Sequence, residues 1–277
     1  MPTGSQERWK VRVTLMATQT LKILHTADVH LDLDGFGWDP HTRRYRAIIH
    51  RAFSTVIDLA IQEAVDLLVI AGDLFDSNRP SGEAVDFAIQ EMRRAGRPLV
   101  MIPGNHDCLT TASIYHKVNL PAACPNLLLI THPKGESHRL AEHNLVLWGR
   151  GMVEHEPAYQ PLAGMPRRQG DAWHMALGHG FFVPDDVPPQ RSSPIYAAEI
   201  RQSAWDYIAL GHCHAFADVS QGSVTAYYAG APGFYPGVPG ADGHVALVQC
   251  VAGPERRVSV TRLDLRPLVY AAMGNST

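Results

Sequence analysis

Five short motifs in this sequence, Asp28-Val29-His30, Gly72-Asp73, Gly104-Asn105-His106-Asp107, Gly178-His179-Gly180 and Gly211-His212-Cys213-His214, each follow directly on an apolar run. Seven of their residues, Asp28, His30, Asp73, Asn105, His179, His212 and His214, carry the side-chain oxygens and nitrogens that ligate divalent cations, and no thiolate need join them. Such a set favours Mn²⁺, Fe²⁺ or Zn²⁺ in an open site over a closed structural zinc. A carboxylate can bridge two cations and an imidazole cannot, which makes Asp73 the candidate bridge of a metal pair. Asp28 and His30 are two apart, as are His212 and His214, so an extended backbone would turn each pair to one face. Asp-x-His, Gly-Asp and Gly-His-Gly are each weak alone, since a Gly-Asp after a strand is usually a turn, whereas Gly-Asn-His-Asp and, in a metal context, Gly-His-x-His are moderately specific. Their mutual consistency carries the reading.

The runs before the motifs, LKILHTA, DLLVIA, PLVMIP, HMAL and YIAL, read as short buried strands. In parallel sheet their carboxyl ends would bring all the motifs to one rim, where ligand sites of α/β folds collect. Residues 42–64 read as an amphipathic helix with Ile49, Phe53, Val56, Ile57 and Ala60 on one face, and 82–95 as a second helix ending at Gly96. This β-α-β-α-β order implies parallel, right-handed crossovers. The second half is richer in strands: LLLITH, NLVLWGR, VTAYYAG, HVALVQCV and RVSVTRLDL, with one helix near 196–204. They suggest a second sheet, mixed or antiparallel.

Around the motifs lie further candidates. Asn78 and Arg79, just after the Gly-Asp turn, are candidate substrate contacts. Loops 181–195 and 228–243 are too rich in Pro and Gly for regular structure and are expected to shape a pocket. Their aromatics, Phe181, Phe182, Phe234 and Tyr235, could stack on a base or pin the loops to the core. Arg43, Arg44, Arg46 and Arg51 read as a solvated helix face. The histidines outside the motifs, His155 among them, read as surface or structural.

With 277 residues, 45% hydrophobic, and a formal net charge of −3, the chain suits one large domain without the global basic field of a polyanion binder. Cys108, Cys124, Cys213 and Cys250 show no C-x-x-C spacing and read as free thiols of a reducing compartment. No apolar run approaches the roughly 18 residues that span a bilayer, and the first twenty residues lack a signal peptide's apolar centre. Residues 1–20 are expected to be an extension, disordered or an added strand, before a catalytic domain over 21–277. A cytoplasmic location follows by default.

The motifs, with the stretches HTADVHLD, IAGDLFDSNRPS and GNHD, resemble the calcineurin-like metallophosphoesterase superfamily over residues 21–265. More narrowly they resemble the nuclease component of the bacterial SbcCD repair complex. The resemblance implies a four-layer α/β/β/α sandwich of two mixed sheets flanked by helices. It implies two divalent ions, manganese foremost with iron or zinc accepted by the same ligands. Asp28, His30, Asp73 and His214 would hold one, and Asp73, Asn105, His179 and His212 the other. His106 would be the catalytic histidine, oriented by Asp107. The implied activity is a nuclease-like phosphodiesterase in which hydroxide formed between the cations attacks phosphorus in line and His106 protonates the leaving alkoxide. DNA and a second copy of the chain, docked through helices near 42–95, are the implied partners. A phosphomonoesterase has the same ligand set, and a non-catalytic scaffold would lack a ligand or the general acid. A catalytic core without the relatives' C-terminal capping region is expected. At Asp76 many archaeal and eukaryotic relatives carry a histidine, and bacterial ones often an aspartate.

Overall fold

The computed structural model describes residues 20–33, 40–188, 192–233, 242–253 and 256–272. The extension before Thr20, and the aromatics Phe234 and Tyr235, lie outside the described residues. In chain order the first half runs β1 (Thr20–Thr26), α1 (Pro40–Gln62), β2 (Leu67–Ala71), α2 (Gly82–Arg94), β3 (Leu99–Ile102), α3 (Ile114–Lys117), α4 (Leu120–Ala123) and β4 (Leu127–Leu129). The second half runs β5 (Glu136–Leu140), β6 (Leu145–Gly149), β7 (Trp173–His179), β8 (Phe181–Val183), β9 (Pro194–Tyr196), α5 (Ala197–Ser203), β10 (Tyr207–Gly211), β11 (Ala217–Asp218), β12 (Thr225–Tyr228), β13 (His244–Val251), β14 (Arg257–Asp264) and α6 (Arg266–Ala272).

Among the described residues two six-stranded sheets result, ordered β14-β13-β1-β2-β3-β4 and β11-β12-β10-β7-β6-β5, with β8-β9 a small pair apart. Alternation along the strands explains the layering. In β1, Ile23 faces the second sheet and Leu24 faces the helices. The inter-sheet core joins Ile23, Leu67, Val69 and Ile102 to Leu147, Met175, Leu177 and Tyr207. On the first sheet's outer face, Leu24, Leu68, Ile70 and Met101 meet α1 and α2. The helical stripe expected of α1, Ile49, Phe53, Val56, Ile57 and Ala60, is buried there. Each large side chain so buried contributes about 1.5–3 kcal/mol. Ile200 of α5 and Trp205 pack with Ala176 and Ile208 on the second sheet's outer face. Two mixed sheets flanked by helices, an α/β/β/α sandwich, are thus observed.

Strand partnership differs from the sequence expectation. β4, β13 and β14 do not build the second sheet; β13 runs antiparallel beside β1, and β14 closes that edge. The centre of the second sheet, β6-β7-β10-β12, is parallel throughout. Apolar alternation encodes which face of a strand is buried, not which neighbour it pairs with. Among the described residues no helix is long and apolar enough to cross a membrane.

Candidate metal centre

β1, β2 and β3 of one sheet and β7 and β10 of the other deliver the five motifs to a common rim. The local backbone is not the extended one that the two-residue spacings suggest. Asp28, His30 and Asp73 all have φ of 54°, and His212 has φ of 98°. These left-handed conformations cost residues bearing a Cβ about 1 kcal/mol each or more. Backbone bonds hold them: Asp28 N–H donates to Gly72 O at 3.1 Å, and Val29 and His30 N–H both donate to Asp73 O, at 2.8 and 3.1 Å. Turns rather than strand alternation therefore aim the donors. Close approach of the loops needs Gly104, where a Cβ would run into the Asp73 carboxylate and its backbone nitrogen.

The donors converge. Asp73 Oδ2 lies 3.3 Å from His179 Nε2 and 3.8 Å from His30 Nε2, while its Oδ1 accepts from His106 N–H at 2.8 Å. On one side His30 Nε2 stands 3.2 Å from His214 Nε2, and Asp28 offers an oxygen within 4.8 Å of both rings' nitrogens. On the other, Asn105 Oδ1 lies 3.0 Å from His179 Nε2 and 2.6 Å from His212 Nδ1. The far nitrogens fix the tautomers. His179 Nδ1 donates to Ala71 O at 2.8 Å, and His30 Nδ1 to the Asp76 carboxylate at 3.1 Å, so loss of the inward proton would leave each Nε2 with a lone pair facing the site. Lone pairs from two facing imidazoles suit a cation between them, and an outer carboxylate or carbonyl on each ligating histidine is the usual support of metal sites. The residues fit bound divalent metal.

Residues 21–216 match the sequence profile of the calcineurin-like phosphoesterase family. The chain belongs to that family. Calcineurin-like phosphoesterases are metal-dependent phosphoester hydrolases that use divalent ions, and the cluster above is this member's candidate centre. The DNA double-strand break repair protein Mre11 of Archaeoglobus fulgidus is 33% identical over 210 residues, 70% of this chain and 46% of that protein. A component of the nuclease SbcCD from Rhodobacter capsulatus is 40% identical over 93 residues, 31% of this chain and 22% of the relative. The chain thus spans less than half the length of these relatives. A dimetal phosphatase from Danio rerio shares the fold with a TM-score of 0.56 at 12% identity, covering 88% of this chain and 98% of that one.

Charge in this family member's pocket is finely opposed. Burial works against ionisation of Asp73, yet His179, then His30 and His106, outweigh it and hold the carboxyl well below the usual range. Burial alone would depress His179, but Asp73 and Asp28 carry it up to about 9. Burial pushes Asp28 up, and burial aided by His179 takes His212 down to about 3. Without cations, protons supply the positive charge that the carboxylates demand. A divalent ion supplies it instead and displaces them.

His106 is 42% exposed at the mouth, and its Nδ1 donates to the Asp76 carbonyl at 2.8 Å, with Asp76 Oδ1 at 3.5 Å. Asp107 is fully buried and accepts from Gly104 N–H, Phe75 N–H and the Tyr115 hydroxyl, so it braces the loop rather than the His106 ring. Asp76 meets the Nδ1 atoms of both His106 and His30. The Asn78 amide nitrogen donates to Cys108 O and its oxygen accepts from Ile114 N–H, so the side chain ties its loop to the segments on either side of it. Arg79 is exposed, and its backbone N–H donates to Ser77 Oγ at 3.2 Å. Arg46 meets Asp32 at 3.6 Å and Arg51 meets Asp58 at 3.6 Å, in keeping with a solvated helix face.

Among the described residues two rings reach the site that no motif marks as ligands. His155, on the loop after β6, stands edge-on to His212 with centroids 5.3 Å apart, and Phe181 does so at 4.5 Å. No periodicity or spacing signals His155. Only the fold brings its loop here.

Proposed function

We propose that this chain hydrolyses phosphodiester bonds with two bound divalent cations, manganese foremost, and that DNA is its substrate class. The observation that carries the reading is Asp73, whose Oδ2 faces donors of both half-sites, His30 and His179. Asp28, His30, Asp73 and His214 would hold one cation, and Asp73, Asn105, His179 and His212 the other. Such a pair, when bound, polarises the phosphoryl oxygen and lowers the pKa of water to near neutrality. The chain's own part is positioning and proton transfer. Asp73 Oδ1 fixes the backbone of His106, and the Asp76 carbonyl holds His106 Nδ1–H, which turns Nε2 outward. From Nε2 the imidazolium stabilises charge on the phosphoryl group and gives its proton to the departing alkoxide. Asp107 and Asn78 keep the two loops in register. The Mre11 and SbcCD relatives support DNA, and free thiols, buried at Cys108, Cys124 and Cys250, suit the cytoplasm.

The test is hydrolysis of end-labelled single- and double-stranded DNA, a model aryl diester and its monoester by protein reconstituted with Mn²⁺, with Asn105→Ala as control. Cleavage of DNA and the diester that is lost in the variant is expected. Faster turnover of the monoester than of the diester would make the chain a phosphatase instead, and equal activity in the variant would refute the metal roles.

A further inference from the structure

The loop that carries His155 is exposed at its tip and riveted at its base. Met152 and Tyr159 are buried with Cys108, the residue after the His106-Asp107 turn, and Leu109 N–H donates to Met152 O at 2.7 Å. On the other flank Ser193 N–H donates to Glu156 O at 3.1 Å, and Phe181 N–H donates to Ser193 O at 3.0 Å. Phe181 in turn begins the small β8-β9 pair, opposite Pro194. The turn that presents Phe181 needs Gly180, since a Cβ there would run into Ser193 O. One hydrogen-bonded wall therefore fixes both rings beside His212, at 5.3 Å for His155 and 4.5 Å for Phe181. Side chains on so well-anchored a wall lose little freedom on gripping a ligand.

From this wall we infer that His155 and Phe181 form a stacking slot that seats a planar, uncharged group of the ester, such as a nucleobase, beside the Asn105–His179–His212 half of the centre. The inference rests on the phosphodiesterase reading and specifies its substrate. Charge sets which part of the substrate lies here. Exposed Glu154 and Glu156 flank His155 in the chain, whereas exposed Arg79 and Lys117 gather beyond Asp76, with Lys117 Nζ on Asn78 O at 3.1 Å. A second phosphate would be repelled on the His155 side and attracted on the other. A base meets no such repulsion, and aromatic rings stack on any base without reading its sequence. His155 and Phe181 are positioning residues, and they touch no reacting atom.

Two diesters with one leaving group provide the test: the p-nitrophenyl ester of thymidine 5′-monophosphate and methyl p-nitrophenyl phosphate, with the whole Mn²⁺-reconstituted chain. Wild type is expected to prefer the thymidine ester in kcat/KM by about tenfold or more, as base stacking typically gives. His155→Ala, and more so the double variant with Phe181→Ala, should shrink that preference about tenfold through KM, and His155→Phe should restore it. Manganese content, read by atomic absorption, separates loss of the slot from loss of the His212 ligand. A preference that stays within twofold of wild type in the double variant overturns the slot. Calorimetry of thymidine 5′-monophosphate against methyl phosphate reads the slot without turnover. If wild type cleaves neither ester, the phosphodiesterase reading fails. The slot then survives only if the nucleotide binds tighter than methyl phosphate in wild type and loses that margin in His155→Ala.

Discussion

Replacing Asp76 with asparagine isolates the outer support of the metal centre. The Asp76 carboxylate accepts from His30 Nδ1–H at 3.1 Å, and the pair is sheltered, with side-chain exposures of 14% and 3%. Asparagine keeps an acceptor in place and removes the charge. A hydrogen bond to a charged group is worth about 1.5–3 kcal/mol against about 0.5–1.5 for a neutral one, so the variant should lose about 1 kcal/mol or a little more. That loss corresponds to a roughly five- to tenfold weaker hold on the ion that His30 would ligate. Asp76→Ala, which leaves Nδ1 without its acceptor, should approach the roughly hundredfold upper end seen for such supporting residues. Mn²⁺ titration of apo-protein by calorimetry reads this directly, and the Mn²⁺ dependence of diester hydrolysis gives a second value. Because Asp76 also holds His106 through its backbone carbonyl, which neither variant removes, the effect should fall on metal affinity more than on saturated turnover. Mn²⁺ half-saturation within twofold of wild type in both variants would refute the argument.

Gly104→Ala should cost about 1–3 kcal/mol in denaturant unfolding and most of the bound metal, since the new Cβ meets backbone of Asp73 as well as its carboxylate; full metal content would contradict the close-packed loops. Arg256 lies over the Trp173 ring at 3.9 Å and donates to Asp171 O, Ala172 O and Asp206 Oδ2. Arg256→Met should lower stability by about 1–2 kcal/mol, discounted for partial exposure, with diester hydrolysis retained. His25, buried between the sheets against the Tyr207 hydroxyl at 2.8 Å, is taken by burial down to about 3. Its folded pKa lies below the unfolded one, so its neutral form is favoured by folding; its contribution is whole above about pH 6.5 and shrinks by up to ~1.4 kcal/mol per pH unit as pH falls toward 3. His25→Gln should flatten that slope in pH-dependent denaturation, and an unchanged slope would exclude His25 as its source.

Much of the centre was legible because it sits where strand signals end. The runs before Asp28, Asp73, Asn105, His179 and His212 are the strands they were read to be, and the helix stripe Ile49–Ala60 is buried as its spacing required. What escaped is what depends on tertiary contacts. The left-handed turns at Asp28 and His30 are dictated by hydrogen bonds to Gly72 and Asp73, some forty residues away in sequence, and spacing alone suggested extended chain. Asp107 and Asn78 were polar residues beside a reactive motif, but the groups they satisfy, such as Phe75 N–H and Ile114 N–H, are brought to them only by folding. The role of Asp76 was hidden for the same reason. Edge partners were illegible because β13 would bury the same alternate residues in either sheet.

The return of β13 to the side of β1 has a consequence for how the molecule is made. During synthesis β1 leaves the ribosome long before its second neighbour, with Leu24 pairing Leu247. Until then that flank of β1 is an unpaired strand edge of the kind that recruits other chains. The nascent protein therefore carries a complete set of candidate ligands, His214 included, before the sheet holding Asp28 and His30 is closed. Closure of the first sheet is coupled to synthesis of β13, and ions present earlier meet a chain whose first sheet is still open.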